Sequence, residues 1–426
     1  MTAVKTIASE QSHVTNNQFF AHRIGVIGSW FVIFVFVFTS LRGWAVLNLA
    51  LSAELVYGFS GALIIFLASY GFSCRFRIRD RRLTSLRNLL LINGLMGFYH
   101  VAGTKLLGGA LDVSAVYTFL LPYIVFLFFR ISVDKIHLGL FLILFGISFS
   151  VISCFIISIS GDGGIVYLEE YNEKLRPLIL GGNMSHTGDY LRVGGYTASY
   201  HDSANILGMI GSYYYIKSII NKSILYIIIA TVAFFAMMLT QSAANIILAL
   251  ITCIIFTIYI GIKKPTTGTW LIILIIAIVG TLIVSMFPEV LIFSKRVGED
   301  GDWEGMAAKL GLDMLFNFSF WVGFGYSTGS EFVTTEVAFL KGILEHGIIP
   351  ATLLYWILIY PVYVFIKSKS DSLELLPYLA AIVFGFISLS HYGSLMRVTN
   401  VAIFYAMYAL FFIKLITDKN NILKEV

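Results

Sequence analysis

Long apolar stretches decide the fold of this chain, and the one from Ser223 to Thr240 reads SILYIIIATVAFFAMMLT. A helix that crosses a bilayer needs a continuous apolar run of about 20 residues. A transmembrane β-strand would instead alternate apolar and polar residues over about 10 positions. The pattern therefore predicts an all-α, polytopic integral membrane protein and excludes a β-barrel.

The composition of the whole chain agrees with this prediction. Of its 426 residues, 58% are hydrophobic and 12% are charged, whereas a soluble domain has about 25% charged residues. We interpret residues 1–426 as a single membrane domain. Twelve spans are predicted, at residues 24–41, 46–72, 88–104, 114–130, 137–160, 204–220, 223–240, 243–262, 269–287, 341–366, 375–391 and 397–416.

The distribution of Lys and Arg predicts the orientation of these spans, because both residues concentrate in short cytoplasmic connections. With a cytoplasmic N-terminus, about two thirds of the 29 Lys and Arg residues fall on the cytoplasmic side. Both termini are then cytoplasmic, and loops 161–203 and 288–340 are periplasmic. The arginine-rich segment 75–87 fits a topology signal that contacts anionic membrane lipids, and we predict no nucleic-acid binding.

Ionisable residues are scarce in the spans and collect in the stretch from Ser294 to Gly347, which includes Arg296 and Glu336. Glu345 and His346 lie about two helical turns beyond Glu336. An ionisable group inside a membrane is a candidate functional residue. The alternatives are a helix-dipole role for Glu336 and, for the deeper two, a polar pair facing the interior of the bundle.

The first periplasmic loop ends in a second polar segment, RVGGYTASYHDSANILG, at residues 192–208. Arg192 precedes two glycines, which permit positive φ angles and the close approach of a ligand. An Arg near a helix N-terminus can bind phosphate through its guanidinium and the helix amides. The alternative for Arg192 is an ion pair with an acid of the same loop, such as Asp189.

Polar residues continue from this segment into the head of the sixth predicted span. His201 is a candidate for contacting substrate, and its alternative is a passive position at the membrane interface. Asp202, Ser203 and Asn205 contain the side-chain types that cap helix N-termini, and we expect Asp202 or Ser203 to be the cap.

Two shorter segments and one acidic pair complete the predicted outer face. Residues 240–245 read TQSAAN and are expected to hold helices together. Arg397 either reaches the same cleft or extends its charged end to the interface. Asp300 and Asp302 form a weak metal signal in a loose acidic turn, and we predict neither a metal nor a cofactor.

Three segments, taken in order and on the same predicted side of the membrane, resemble the O-antigen polymerase and ligase superfamily. They are RVGGYTASYHDSANILG, then LTQSAANIILAL, then SKRVGEDGDW followed by GFGYSTG and TEVAFLKGILEHGIIP. The resemblance implies a GT-C-like membrane fold. Ligases of this family usually carry His-Asn before the Tyr/Phe-Leu motif, whereas Glu336 and Val337 stand there in this chain. This departure favours the polymerase branch.

The resemblance also implies an activity, that of a metal-independent glycosyltransferase at the periplasmic face of the bacterial inner membrane. Its donor and acceptor would both be oligosaccharides linked to undecaprenyl diphosphate, and a flippase and a chain-length regulator would be possible partners. Arg192 and Arg296 would hold the diphosphate, supported by Arg397, and Glu336 or His201 would orient or deprotonate the acceptor hydroxyl. Further substrate contacts are expected from Tyr196, Asn205, Glu345 and His346.

Two other functions fit parts of the pattern. An O-antigen ligase would transfer the glycan to lipid A-core. The presence of Glu336 and Val337, where ligases usually carry His-Asn, disfavours this function. A transporter of polysaccharide or lipid-linked sugar would distribute ionisable residues along a path through the membrane. Here the charges collect on one face, which favours chemistry at that face.

Overall fold

Helices make up nearly all of the residues that the computed structural model of the protein describes. These residues are 24–49, 51–75, 83–106, 119–160, 163–164, 166, 168–170, 184–187, 190–197, 199–265, 321, 339, 342–343, 346–368, 372–390 and 398–422. The first half of the chain contains α1 (Val26–Ser40), α2 (Arg42–Asn48), α3 (Ala53–Cys74), α4 (Thr84–Leu106), α5 (Ile124–Phe128) and α6 (Val133–Ser158). The second half contains α7 (Tyr200–Asn221), α8 (Ile224–Leu239), α9 (Ala243–Lys263), α10 (Ile348–Ser368), α11 (Leu376–Ile387) and α12 (Val398–Ile422).

One small hairpin departs from the all-α prediction. Strand β1 (Met184–Thr187) pairs antiparallel with β2 (Tyr190–Val193), and Ser185 lies opposite Arg192. The hairpin leads directly into the turn before α7. Among the described residues, the first predicted loop therefore contains a short sheet.

Five helices in the described part of the chain are long and apolar enough to cross a membrane. They are α3, α6, residues 244–263 of α9, α10, and residues 400–418 of α12. Shorter apolar helices are α1, α8 and the segment 373–387. By length and composition, the protein is a multi-pass helical membrane protein.

The outer helices turn apolar side chains away from the protein. Phe34 on α1, Phe66 on α3, Phe145 on α6 and Phe235 on α8 are all more than half exposed. In water such a surface would be an unusually large apolar patch. In a bilayer the same side chains face lipid tails.

Helix α7 lies at the centre of the bundle and packs against α6, α8, α9, α11 and α12. Two of its glycines permit close contact, because a Cβ at Gly208 would lie 2.2 Å from the Phe384 ring and one at Gly211 would lie 2.9 Å from the Phe234 ring. Small residues at such crossings bring helix backbones together. The surrounding helices thereby shield the polar side chains of α7 from lipid.

The helix bounds refine several of the predicted spans. The span predicted at 46–72 is divided, because α2 ends at Asn48 and Ser52 caps the start of α3 by accepting a hydrogen bond from Leu55 N. The span predicted at 114–130 contains a 3-10 turn before the short helix α5. Helix α7 begins at Tyr200, so residues 200–203 belong to the helix and not to the predicted loop 161–203. The span predicted at 269–287 and most of loop 288–340 lie outside the described residues.

Candidate functional site

The site begins at the tight turn that joins the hairpin to α7. Gly195 has a φ of +63°, and a Cβ there would lie 2.3 Å from Ser150 Oγ on α6. Tyr196 N donates a hydrogen bond of 3.1 Å to the same oxygen. Gly195 is thus needed for a left-handed turn pressed against α6. One close approach that this glycine permits is therefore to α6.

Helix α7 starts with an N-cap that differs from the prediction. Ser199 is the cap residue, and its hydroxyl accepts a 3.3 Å hydrogen bond from Asp202 N. Ser203, one of the predicted caps, instead donates to the carbonyl of Gly194 and lies 2.8 Å from the hydroxyl of Thr197. The capping prediction for Asp202, Ser203 and Asn205 is therefore wrong, because Ser199 satisfies the first turn.

His201 lies in the first turn of α7, is 7% exposed, and faces α9. Its Nδ1 is 3.2 Å from Ser242 Oγ, and Asn245 Nδ2 donates to the same hydroxyl at 3.0 Å. The ring of Tyr200 lies 4.0 Å away between centroids. The hydroxyl of Ser242 and the ring of Tyr200 thus hold the imidazole of His201 in place.

Asp202 and Asn205 connect α7 to two helices from the C-terminal part of the chain. Asn400 Nδ2, on α12, donates to Asp202 Oδ1 at 3.3 Å. Asn205 Nδ2 donates to Ser388 Oγ, at the end of α11, at 2.6 Å. Asp202 and Asn205 are both fully buried, and burial of such groups is tolerated only with hydrogen-bond partners.

These contacts define a buried polar cluster at the N-terminal end of α7. Its side chains come from the turn, from the head of α7, and from α9, α11 and α12. The members are Thr197, Ser199, His201, Asp202, Ser203, Asn205, Ser242, Asn245, Ser388 and Asn400. Every member is buried. By the predicted orientation, this end of the bundle is periplasmic.

Arg42, at the start of α2, lies next to this cluster and was not among the predicted site residues. Gly43 N donates a 2.9 Å hydrogen bond to the carbonyl of Tyr196, which joins α2 to the turn. The guanidinium carbon of Arg42 stands 3.9 Å from the centroid of the Tyr57 ring. The sequence signal for Arg42 was its position, since it is a cation in a short connection on the predicted periplasmic side, where the positive-inside rule disfavours it.

The predicted site residues do not all meet in the cluster. His201 and Asn205 belong to it, and Tyr196 lies beside it through its backbone. His346 does not, because its buried ring instead contacts His100 and Phe119, with centroids 5.1 and 5.4 Å apart. His346 therefore has one polar neighbour, His100, in agreement with the alternative that it faces polar residues inside the bundle. Neither histidine takes part in the hydrogen bonds that define the cluster.

Several other predicted site residues lie outside what the structure describes. The backbone of Arg192 belongs to β2, but its side chain is not among those that the structure describes. Arg296, Glu336, Glu345 and Arg397 are outside it entirely. Phe339, three positions after Glu336 in the sequence, packs on Phe386 of α11 with a centroid separation of 5.3 Å. Phe386 is two residues before Ser388, a member of the cluster.

A metal site needs several His, Cys, Asp or Glu side chains close together. No group of three or more His, Cys, Asp or Glu side chains that could hold a metal ion is present there. The three cysteines are buried free thiols. The described cluster therefore contains hydroxyl and amide side chains and two ionisable residues, His201 and Asp202.

Comparison with known proteins adds no family to these findings. No protein-family model matches the chain, and no curated protein matches it. Any functional conclusion must therefore come from the residues of the chain itself.

Proposed function

We propose that the protein is a glycosyltransferase of the O-antigen polymerase type. It joins oligosaccharide repeat units carried on undecaprenyl diphosphate, at the periplasmic face of a bacterial inner membrane. The proposal includes twelve spans, a GT-C-like arrangement and cytoplasmic termini. The observation that carries it is the buried polar cluster, which gathers hydrogen-bonding side chains from separate helices at a single end of an apolar bundle.

The location of the cluster favours surface chemistry over transport. Directly below the cluster, residues 206–211 of α7 are apolar or small, and Gly208 and Gly211 pack against the rings of Phe384 and Phe234. A transporter would need polar or ionisable side chains along a path between the two faces. In the described residues, the interior of the bundle next to the cluster is instead filled by aromatic and aliphatic side chains.

The proposed reaction is a displacement at the anomeric carbon of the donor glycan. A hydroxyl oxygen of the acceptor sugar forms the new bond to that carbon, and the bond from the carbon to the diphosphate oxygen breaks. His201 or Glu336 orients the hydroxyl and takes its proton. Arg192 and Arg296, supported by Arg397, stabilise the negative charge that develops on the departing diphosphate.

His201 is the better supported of the two candidate bases. The hydroxyl of Ser242 holds its Nδ1, and a base oriented by a second group is the common arrangement for proton transfer. Asp202, which was not among the predicted catalytic or substrate-binding residues, is proposed as a positioning residue. It ties the first turn of α7 to Asn400 and so keeps the segment carrying His201 in place.

A polymerisation assay in vitro tests this proposal. Purified protein receives a lipid-linked repeat unit, and the products are separated by length. We expect Arg192→Ala, Arg296→Ala and Glu336→Gln each to slow elongation by about 10²-fold or more, because each removes a charge from the transition state. Lys217→Ala, at the opposite end of α7, is the control and should give normal ladders. Full-length ladders from all three variants would refute the assignment.

A genetic test separates the polymerase from the ligase alternative. Deleting a polymerase leaves a single repeat unit on the lipid A-core, because ligation continues. Deleting a ligase leaves the core without any repeat unit. We expect the single-repeat phenotype, and a bare core would transfer the proposal to the ligase branch.

A further inference from the structure

Arg42 carries a buried charge that the described part of the protein does not neutralise. Its side chain is 7% exposed. No described residue accepts a hydrogen bond from Nε, and no described carboxylate forms an ion pair with the guanidinium. Arginine stays protonated at any physiological pH. A buried, uncompensated charge is costly, so the site favours an anion that enters from outside the described residues.

The geometry around Arg42 leaves its hydrogen-bonding edge available. The guanidinium of Arg42 lies over the ring of Tyr57, with 3.9 Å between the guanidinium carbon and the ring centroid. A guanidinium that rests on an aromatic ring keeps its N–H groups in its own plane, where they can donate hydrogen bonds. That planar fork matches two oxygens of a phosphate. Tyr57 therefore holds the guanidinium in one orientation before a ligand arrives.

The position of Arg42 connects this charge to the proposed site. The backbone N–H of its neighbour Gly43 donates a hydrogen bond to the carbonyl of Tyr196. Tyr196 lies three positions after the end of β2, the strand that contains Arg192. By the predicted orientation, α2 lies in the periplasmic connection between the first two spans. A lipid phosphate at the outer leaflet would thus approach Arg42 and the turn from the same side.

We propose that Arg42, held by Tyr57, is a phosphate-binding residue for the lipid-linked substrate at the edge of the polar cluster. The inference rests on the proposed function for the identity of the ligand, a polyprenyl diphosphate. An ordinary phospholipid headgroup offers the same chemistry, and the test below distinguishes the two sources. Arg42 binds the lipid anchor and is not assigned a part in the proton transfer.

The test measures binding by the purified full-length protein in detergent. The probe is undecaprenyl diphosphate, and its affinity is measured by native mass spectrometry and by the shift in unfolding temperature. Undecaprenol, which lacks phosphate, and phosphatidylglycerol, which has a headgroup phosphate but no polyprenyl chain, are the comparison ligands. The variants are Arg42→Ala, Arg42→Lys and a matched control, Arg75→Ala. Arg75 is also buried and stacks on an aromatic ring, that of Phe72, but it lies in the predicted cytoplasmic connection.

We expect Arg42→Ala to lower the affinity for undecaprenyl diphosphate by about tenfold or more, which corresponds to about 1.4 kcal/mol. Arg42→Lys should lose about three- to tenfold, because it keeps the charge and loses the fork. Arg75→Ala should stay within about twofold of the unchanged protein, and undecaprenol binding should not respond to any variant. If Arg42→Ala does not fold, the Arg42→Lys measurement alone decides.

Three outcomes would overturn the inference. Unchanged diphosphate affinity in Arg42→Ala and Arg42→Lys would make the Arg42–Tyr57 contact a purely structural one. An equal loss in Arg75→Ala would show a general charge effect. A loss confined to phosphatidylglycerol would assign Arg42 to ordinary phospholipid.

The same experiment separates this inference from the proposed function. Reduced diphosphate affinity in Arg42→Ala, with no polymer made by the unchanged protein, would keep the binding residue and refute the polymerase. Polymer ladders from the unchanged protein, with unaltered affinity in Arg42→Ala, would keep the polymerase and refute the binding residue.

Discussion

The two ends of α7 stabilise their polar side chains in different ways. At the C-terminal end, Lys217 donates to the hydroxyl of Tyr213, one turn earlier on the same helix, and stands 4.7 Å above the ring of Tyr226 in the next helix. At the N-terminal end, Asn205 and Asp202 bond to residues 183 and 198 positions away in the sequence. The Lys217 contacts are made within α7 and with the helix that follows it, whereas those of Asn205 and Asp202 join segments far apart in the sequence.

This difference indicates different roles for the two ends. Cations resting on aromatic rings are typical of a helix anchored at a membrane interface, and such contacts form locally. A buried polar cluster from distant helices contributes little net stability, because desolvation offsets its hydrogen bonds. Its value lies in fixing side chains in one arrangement. The proposed chemistry is accordingly assigned to the N-terminal end, and the C-terminal end is proposed as the anchor.

The largest expected difference between the ends comes from a pair of histidine substitutions. We expect His201→Ala to slow chain elongation by about 10²- to 10⁴-fold, as loss of a general base does. His137→Ala removes the same side chain near Tyr213, at the opposite end, and should leave elongation within about threefold, since its ring lies beside those of Tyr213 and Tyr378, away from the polar cluster. Initial rates of repeat-unit addition measure both. Equal losses would remove the functional distinction between the ends.

Gly195→Ala tests whether the turn at the N-terminal end depends on its close approach to α6. A methyl group there meets Ser150 Oγ at 2.3 Å in a left-handed conformation, so we expect a loss of about 1–3 kcal/mol in stability. Gly58→Ala is the control, because a Cβ at that helical position meets nothing within 4 Å. Unfolding curves in mild detergent report both values. A neutral Gly195→Ala would show that the turn relaxes freely.

Two double-mutant cycles compare long-range and local pairing directly. For Asn205→Ala with Ser388→Ala, we expect a coupling energy of about 0.5–3 kcal/mol, because the pair is buried and joins α7 to α11. For Lys217→Ala with Tyr213→Phe, we expect less than about 0.5 kcal/mol, because this contact joins two residues one turn apart in a single helix. Both cycles use the free energy of unfolding. A larger coupling for the Lys217 pair would reverse the comparison.

The smallest expected effect lies at the C-terminal end of α7, where Lys222 adopts a φ of +51°. A left-handed conformation costs a residue with a side chain roughly 1 kcal/mol, and Gly avoids this cost. Lys222→Gly should therefore stabilise the protein by up to about 1 kcal/mol and leave elongation unchanged. Thermal unfolding and the elongation rate check these two expectations. Destabilisation would mean that the Lys222 side chain makes a contact that outweighs its backbone strain.

Most of the helices could be predicted from the sequence because each depends on its own apolar run. The start of α7 could not be located in the same way, because Ser199, Asp202 and Ser203 are all suitable caps and only the turn geometry selects Ser199. The break between α2 and α3 was missed because apolar residues continue across it. Hydropathy does not register where one helix ends and the next begins within an apolar run.

The candidate site could be predicted only in part. His201 and Asn205 were singled out because they are polar residues at the head of an apolar helix. Their partners Ser388 and Asn400 were not, because nothing local marks a residue that pairs across nearly 200 positions. Arg42 stood out in the sequence only as a cation in a periplasmic connection, because its contacts with Tyr57 and with the turn form only in the folded chain.

The burial of α12 has a consequence for how the protein is made. This helix is almost entirely enclosed, and it packs against α1, α5, α7 and α11. All four are synthesised earlier, so the surface that they present to α12 stays uncovered in the membrane until α12 emerges from the ribosome. This uncovered surface forms an open groove. Chains stalled before residue 398 would lack Asn400 and expose that groove. They should be preferred targets of membrane quality-control proteases, whereas chains truncated after residue 418 and released from the ribosome should be protected.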